Sequence, residues 1–320
     1  MKKLISIFVL LFSCIIASHA QQSVQYTQFT FNDYGLNPAV AGASNGLEFV
    51  GGRRVQWRGF DGGPETNFVN VTKAFGKKGY RHFWHGIGAY IEQDKMGVYT
   101  TQVGYLSYAM HFKLSPKFRL SFGLAGGIKK VSLSNIVFDS FDPTFTEANR
   151  TVKVPDIIPG LYLYSKKFSL GVSMRNVFLN TLKFDKHQLG TGTGVLLVPT
   201  AYVTVSRKFV SGDYNFVSVP AINIQSDLRS IPSANLNFIT YYKKRIGLGL
   251  NYRIHDAASV ILQVRIFKNF VVGFAYDYTI SRFHVANANS DEIMMGFTPM
   301  MSVEDIQKLS TSDCPKFEFK

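Results

Sequence analysis

Residues 245–254 read RIGLGLNYRI, and this stretch decides the fold. Every second residue is a large apolar one: Ile246, Leu248, Leu250, Tyr252 and Ile254. The residues between them are glycine, asparagine or arginine. This alternation predicts a β-strand, because successive side chains of a strand point to opposite faces. The same period of two recurs in 119–128 (RLSFGLAGGI) and in 271–280 (VVGFAYDYTI).

About fourteen such stretches lie between Leu47 and Met300, and most are close to the length with which a tilted strand crosses a bilayer. Their approximate spans are 47–57, 67–75, 84–93, 100–114, 118–133, 155–165, 168–177, 199–210, 214–226, 233–243, 245–255, 257–267, 270–280 and 292–300. We therefore predict an all-β fold, a transmembrane antiparallel β-barrel that occupies residues 47–301.

The connections between these stretches alternate in length. Every second one is short or basic, at 76–83, 115–117, 166–167, 211–213, 243–244 and 268–269. The others tend to be longer, at 58–66, 94–99, 134–154, 178–198, 227–232 and 281–291, with His255-Asp256 as an exception. Short periplasmic turns and longer outer loops are typical of an outer-membrane barrel.

The net charge of +14 would suit a nucleic-acid partner, since a basic surface attracts phosphates. Here the Lys and Arg residues come as short pairs in the turns, so we expect a solvated basic rim and no nucleic acid. A soluble β-sandwich would share the alternation but not the asymmetry of the loops. In a barrel the aromatic side chains contact outer-membrane lipid, and Arg and Asn point into the lumen.

The N-terminus predicts export. Lys2 and Lys3 precede an apolar run at 4–17, and Ser18-His19-Ala20 supplies small residues before Gln21. This is the pattern of a cleaved secretory signal peptide at 1–20. One cysteine, Cys314, then remains, so no internal disulfide is expected. Because no later stretch approaches 18 uncharged apolar residues, we expect no transmembrane helix. An exported chain of this kind is periplasmic, secreted or an outer-membrane barrel, and the strands favour the outer membrane.

Both ends of the chain depart from the strand pattern. Residues 21–46 are polar and aromatic, with turn signals at Asn37-Pro38, and should form an extended periplasmic lead-in, with insertion into the lumen as the alternative. Residues 302–320 are too polar for a strand in lipid and predict a periplasmic tail. The tail is either a docking peptide or a disordered end.

No group of residues supports catalysis, a metal or a cofactor. His82 and His85 have H-x-x-H spacing, but they lie in a turn without a third ligand. Asp139, Asp142 and Glu147 lack the pattern of a calcium loop. We therefore expect that the protein is not an enzyme.

The sequence resembles the PorP/SprF family of the type IX secretion system of Bacteroidetes. The resemblance is carried, in order, by 25–29 (QYTQF), 37–42 (NPAVAG), 54–57 (RVQW), 86–88, 94–97 (DKMG), 249–253 (GLNYR), 291–293 (DEI) and 314–317 (CPKF). Members often have a His where this chain has Asp291, which weakens any role for that position. The motif positions and candidate partner contacts are Asn37, Pro38, Gly42, Arg54, Trp57, Asp94, Gly97, Asp291, Glu292, Cys314, Pro315 and Phe317.

The resemblance implies a barrel that helps to secrete or anchor a partner surface protein such as a gliding adhesin. It further implies contacts with the C-terminal domain of a secreted effector or adhesin, made by outer loops or a lateral face of the barrel. The basic rim and the tail would contact periplasmic components of the secretion machinery. The alternative is a passive channel or hydrophobic-solute transporter, since Arg175, Asn251, Arg253 and Arg265 should point into the lumen.

Overall fold

The computed structural model describes residues 24–44, 46–76, 82–133, 151–178, 180–182, 195–213, 215–227, 231–267, 269–281 and 288–298. The predicted signal peptide, the three acidic residues at 139, 142 and 147, and the tail lie outside these residues. Cys314, Pro315 and Phe317 therefore remain sequence predictions. Within the described part of the chain, no helix is long and apolar enough to cross a bilayer.

Fourteen antiparallel strands form one closed barrel in the described residues. In chain order they are β1 (Leu47–Val55), β2 (Glu65–Phe75), β3 (Phe83–Met96), β4 (Tyr99–Lys113), β5 (Arg119–Leu133), β6 (Thr151–Tyr164), β7 (Phe168–Arg175), β8 (Thr200–Arg207), β9 (Phe216–Ser226), β10 (Ser233–Tyr242), β11 (Ile246–Arg253), β12 (Ala257–Phe267), β13 (Phe270–Thr279) and β14 (Ser290–Phe297). Each strand pairs with its neighbours in the sequence, and β1 closes the barrel on β14. The predicted fold class is confirmed.

Three strands of two residues lie beside the barrel strands. Phe209–Val210 extends the pairing along β9, and Thr181–Leu182 pairs with Val195–Leu196 in the connection between β7 and β8. Two helical turns precede the barrel: α1 (Asp33–Leu36) and a 3-10 turn (Pro38–Val40).

The strand alternation places apolar side chains outside the barrel and polar ones inside. On β11, Leu248 and Leu250 are 61% and 65% exposed, whereas Asn251 and Arg253 are buried. The exposed row continues on neighbouring strands with Val260, Phe274 and Tyr276. Exposed apolar side chains form the lipid-facing surface that a transmembrane barrel requires.

The connections divide the barrel into a short-turn end and a long-loop end. At the long-loop end, the loop predicted at 94–99 is shorter than expected. Residues 94–99 were predicted as a loop, but β3 and β4 pair up to Met96 and Tyr99, so only Gly97 and Val98 turn the chain. Backbone pairing thus extends the strands through a stretch whose polar residues indicated a loop.

Candidate functional site

The lumen is filled by the chain's own N-terminal segment. We call residues 24–44 the plug. Most of its side chains are buried, and Tyr26, Phe29, Phe31, Tyr34 and Leu36 pack with inward-facing side chains of the barrel wall. This segment was expected to be extended, with insertion into the lumen as one possibility. It lies inside the barrel, and it contains two helical turns where an extended chain was expected, because its backbone groups need partners in a confined space.

The plug runs along the lumen from one end of the barrel toward the other. Thr27 contacts Arg54 and Glu292, close to the long-loop ends of β1 and β14. Ala41 contacts His111, close to the short-turn end of β4. After Ala43 the chain leaves the lumen and starts β1 at Leu47. The segment therefore passes through much of the lumen before the wall begins.

The part of the plug near the long-loop end is held by a buried group of charged and polar side chains. We call Thr27, Arg54, Arg253, Asp277 and Glu292 the Thr27 cluster. Arg54 is 1% exposed and makes ion pairs of 2.6 Å with Asp277 and 3.0 Å with Glu292. Arg253 lies 3.7 Å from Asp277. Two cations thus face two carboxylates, which balances the buried charge.

The Thr27 cluster binds both the backbone and the side chain of the plug. The Glu292 carboxylate accepts hydrogen bonds from the backbone N–H groups of Thr27 (2.9 Å) and Gln28 (2.8 Å). The Thr27 hydroxyl donates to Asp277 at 2.8 Å and accepts from Arg54 at 2.8 Å. Asn237 donates to the Thr27 carbonyl oxygen at 3.1 Å. Hydrogen bonds to charged groups are the strong ones, so this part of the plug is firmly anchored.

A second group of polar side chains also contacts the plug. The Tyr26 hydroxyl donates to Glu92 at 2.8 Å, and Tyr90 donates to the same carboxylate. Arg175 lies 3.7 Å from Glu92 and donates to the carbonyl oxygen of Gly35. Strands β3 and β7 are therefore connected through the plug.

The part of the plug near the short-turn end is held by close packing of its backbone against the barrel wall. Asn37 caps the 3-10 turn by accepting from Ala39 N–H at 2.9 Å, and it donates to Leu161 O at 2.8 Å. Pro38 occupies the first position of that turn. A side chain at Gly86 would collide with the Ala41 carbonyl oxygen, and one at Gly123 with the Ala39 backbone nitrogen. The barrel wall therefore needs glycine where the plug approaches it most closely.

Aromatic side chains also hold the plug near the short-turn end. His111 bonds the Ala41 carbonyl oxygen at 2.7 Å through Nε2 and the Tyr164 hydroxyl at 2.9 Å through Nδ1. Trp84 stacks on His111 with ring centroids 5.0 Å apart and donates to the Gly42 carbonyl oxygen at 3.0 Å. Gly42 has a φ of 76°, a conformation that glycine adopts readily.

The remaining described motif residues lie at the long-loop end. The Trp57 N–H donates to Ser290 Oγ at 3.2 Å, and Asp291 pairs with Arg58 at 2.6 Å. Asp94 accepts from the Thr66 hydroxyl at 2.7 Å. Gly97 donates its N–H to the carbonyl oxygen of Gly62 in the loop at 56–64. These contacts fix that loop on the ends of β3 and β14.

The structure thus divides the predicted motif residues between two places. Asn37, Pro38, Gly42, Arg54 and Glu292 lie at the plug, and Trp57, Asp94, Gly97 and Asp291 lie at the long-loop end. Thr27 lies in the family motif at 25–29, but no sequence pattern singled out Glu92, Asp277 or the role of His111. Their alternation phase places the last three inside the barrel, but it does not indicate which inward side chains meet the plug.

The described residues offer no metal site. Among them, no three His, Cys, Asp or Glu side chains come together in a way that could hold an ion. His85 bonds the Tyr108 hydroxyl at 2.6 Å on the outer surface. The geometry described above binds a polypeptide segment inside a barrel.

A family comparison decides what kind of barrel this is. The profile of the family described as type IX secretion system membrane protein PorP/SprF matches residues 18–297. The chain belongs to this family. As a PorP/SprF member it is an outer-membrane β-barrel of the type IX secretion system. Both its family and its fold are those of membrane barrels in secretion or transport and not of known enzymes. A search of curated proteins found no match.

Several solved structures have a similar fold. A structure entitled CymD monoaromatic hydrocarbon channel has a TM-score of 0.50 at 10% identity, over 86% of this chain and 94% of that one. Omp33 of Acinetobacter baumannii has a TM-score of 0.48 at 8% identity, over 80% of this chain and 99% of that one. A FadL homologue of Pseudomonas aeruginosa has a TM-score of 0.44 at 10% identity, over 84% and 93%. At this identity the CymD likeness supports the barrel fold alone.

Proposed function

We propose that this PorP/SprF barrel helps to secrete or anchor a partner surface protein, such as a gliding adhesin, and does not serve as an open pore. The observation that carries the proposal is the filled lumen. A passive channel needs a continuous water path, whereas this lumen contains a segment bonded to the wall at both of its ends. A plugged barrel suits a protein that acts through its surfaces.

The long-loop end is the proposed surface for the partner. The loop at 56–64 is held by Trp57, Arg58 and Gly62, yet it leaves Phe60 44% exposed to water. Ile231, between β9 and β10, is 90% exposed. Apolar side chains presented on outer loops suit the binding of another protein. The C-terminal domain of the secreted protein is the partner that family membership suggests.

The periplasmic side is the proposed contact with other parts of the machinery. Cys314, Pro315 and Phe317 belong to the predicted tail, and their role as partner contacts is a proposal from the sequence. The predicted signal peptide at 1–20, the N-terminal lead-in at 21–46, the barrel at 47–301 and the tail at 302–320 complete the proposed domain order. We expect a tail deletion to weaken contacts with the machinery without altering the barrel.

The second candidate function is a channel or hydrophobic-solute transporter. It is favoured by the wall formed by β9, β10 and β11, which carries Asn223, Asn235, Asn237 and Asn251 toward the lumen. Several of their amide atoms are buried without a hydrogen-bond partner within the described residues. Such atoms would gain water partners if the plug moved, which a gated channel requires.

The proposal is tested by deleting the gene and measuring surface display of large secreted proteins on intact cells. Loss of one such protein from the surface, with restoration by the wild-type barrel, is expected. A variant with Phe60→Asp and Ile231→Asp should fail to restore display, while Asp213→Asn in a short turn should restore it. Co-purification of the same protein with the wild-type barrel links the loss to binding. Unchanged display in the deletion strain would contradict the proposal.

A further inference from the structure

The charges of the barrel are distributed unevenly between its two ends. At the short-turn end, the described residues include ten cations besides Arg119 and Arg265, which point into the lumen: Lys73, Lys113, Lys117, Lys166, Lys167, Arg207, Lys208, Lys243, Lys244 and Arg245. Two carboxylates, Glu48 and Asp213, lie at the same end within the described residues. At the long-loop end the two signs are mixed, as in the ion pairs Arg53–Glu65 (3.2 Å) and Arg58–Asp291 (2.6 Å).

Three of these cations lie directly above outward-facing aromatic rings. Lys73 Nζ is 5.0 Å from the ring centre of Phe75, and Arg207 Cζ is 5.0 Å from that of Phe209. Lys243 Nζ is 5.3 Å from the ring centre of Tyr242. All three rings are more than 40% exposed on the outer face of the barrel. Aromatic rings on this face mark the level at which hydrocarbon meets the lipid headgroups.

The cations also extend around most of the barrel, from β2 to β11. Four of the six short turns contribute described cations (Lys117; Lys166 and Lys167; Lys208; Lys243 and Lys244), and Lys73 on β2 and Arg207 on β8 lie six strands apart in a closed ring of fourteen. A folded protein that docks on this end would contact one sector or the axial face. A ligand that surrounds the barrel would contact all sectors, and the surrounding ligand of a membrane protein is lipid.

We propose that this ring of cations binds the anionic headgroups of phospholipids in the periplasmic leaflet of the outer membrane. The phosphate of each phospholipid accepts hydrogen bonds from Lys and Arg. The acyl chains of the same lipid pack on Phe75, Phe209 and Tyr242. This preference for anionic headgroups orients the barrel in the membrane and selects the lipids that surround it. The inference does not rest on the proposed role in secretion.

The test measures lipid selectivity of the full-length barrel in bilayers. The wild-type chain is reconstituted into phosphatidylethanolamine vesicles with spin-labelled phosphatidylglycerol or phosphatidylethanolamine, and the motionally restricted fraction of each lipid is measured. A cation near a lipid surface contributes about 1 kcal/mol, so we expect restricted phosphatidylglycerol to be favoured about two- to five-fold. The preference should fall as salt is raised, because these charges are exposed.

Two variants locate the preference on the barrel. The triple variant Lys73→Gln, Arg207→Gln and Lys243→Gln should lose most of it. The matched control Arg53→Gln, Lys95→Gln and Lys153→Gln, which removes three exposed cations at the long-loop end, should retain it. Heat-modifiable migration on gels verifies that all chains are folded.

Two results would overturn the inference. One is equal restriction of both lipids by the wild-type barrel. The other is a loss of lipid preference in the control variant equal to that in the triple variant, since it would mean that the end at which the cations lie does not matter. If the barrel shows no lipid preference but binds polyglutamate in detergent through the same cations, the ring belongs to an acidic protein partner and the lipid assignment is wrong.

Discussion

Thr27 is the residue through which the wall and the plug are joined most densely. Its hydroxyl bonds Asp277 and Arg54, and its backbone bonds Glu292 and Asn237. We expect Thr27→Val to lower the free energy of unfolding by about 1–3 kcal/mol, because buried charged groups lose a partner. Urea titration of the barrel in phospholipid vesicles measures this change.

Thr27→Ser is the matched control for that substitution. Serine keeps the hydroxyl and should retain most of the stability, with a small loss from the missing methyl group. Equal destabilisation by valine and serine would mean that packing of the methyl group holds the plug, contrary to the hydrogen-bond account.

Arg54 is the cation on which the Thr27 cluster depends. It pairs with both Asp277 and Glu292, so Arg54→Met leaves two carboxylates together in a buried site. Loss of one member of a buried ionic group costs about 3–5 kcal/mol, which should be visible in the same urea titration. Adding Glu292→Gln removes one uncompensated charge while Arg253 still faces Asp277, and should recover part of the loss. No recovery in the double variant would contradict the proposed charge balance.

At the level of the strands, the contact between wall and plug depends on small residues. Gly86 leaves no room for a Cβ atom beside Ala41, whereas Gly104 and Gly126 face open space. Overpacking of this kind typically costs 1–3 kcal/mol, so Gly86→Ala should increase the population with a displaced plug about ten-fold.

The measurement is the rate at which a maleimide labels Ala43→Cys in a Cys314→Ser background. Ala43 is buried in the plug, so faster labelling reports its displacement. Gly126→Ala serves as the control, and its labelling rate should equal that of the parent chain. A Gly86→Ala chain that labels no faster would indicate that the plug does not rely on close packing at this place.

The strands were predictable because their signal is local. A period of two in RIGLGLNYRI and its counterparts depends on neighbouring residues alone, and it gave the number of strands and their faces. The loop predicted at 94–99 was wrong because cross-strand pairing between Met96 and Tyr99 is not visible in local composition. The export signal, the tail and the domain boundaries remain predictions from the sequence.

The plug was only partly predictable. Asn37 and Pro38 correctly indicated a turn, and Arg54 and Glu292 were selected through the family motifs. Their meeting with Thr27 and Asp277 joins residues separated by up to 265 positions. Such a contact follows from closure of the barrel, and the pattern of a single strand does not predict it.

For the whole molecule, the central claim is that the native lumen is closed by the plug and that the protein acts as a secretion barrel through its surfaces. The most direct test is the conductance of the purified full-length chain in a planar bilayer, with a chain lacking residues 24–44 as the open reference. We predict that the wild-type barrel remains non-conducting at moderate voltage while the deletion variant forms stable pores. Steady conductance of the wild-type barrel, equal to that of the deletion variant, would contradict the account and favour a channel.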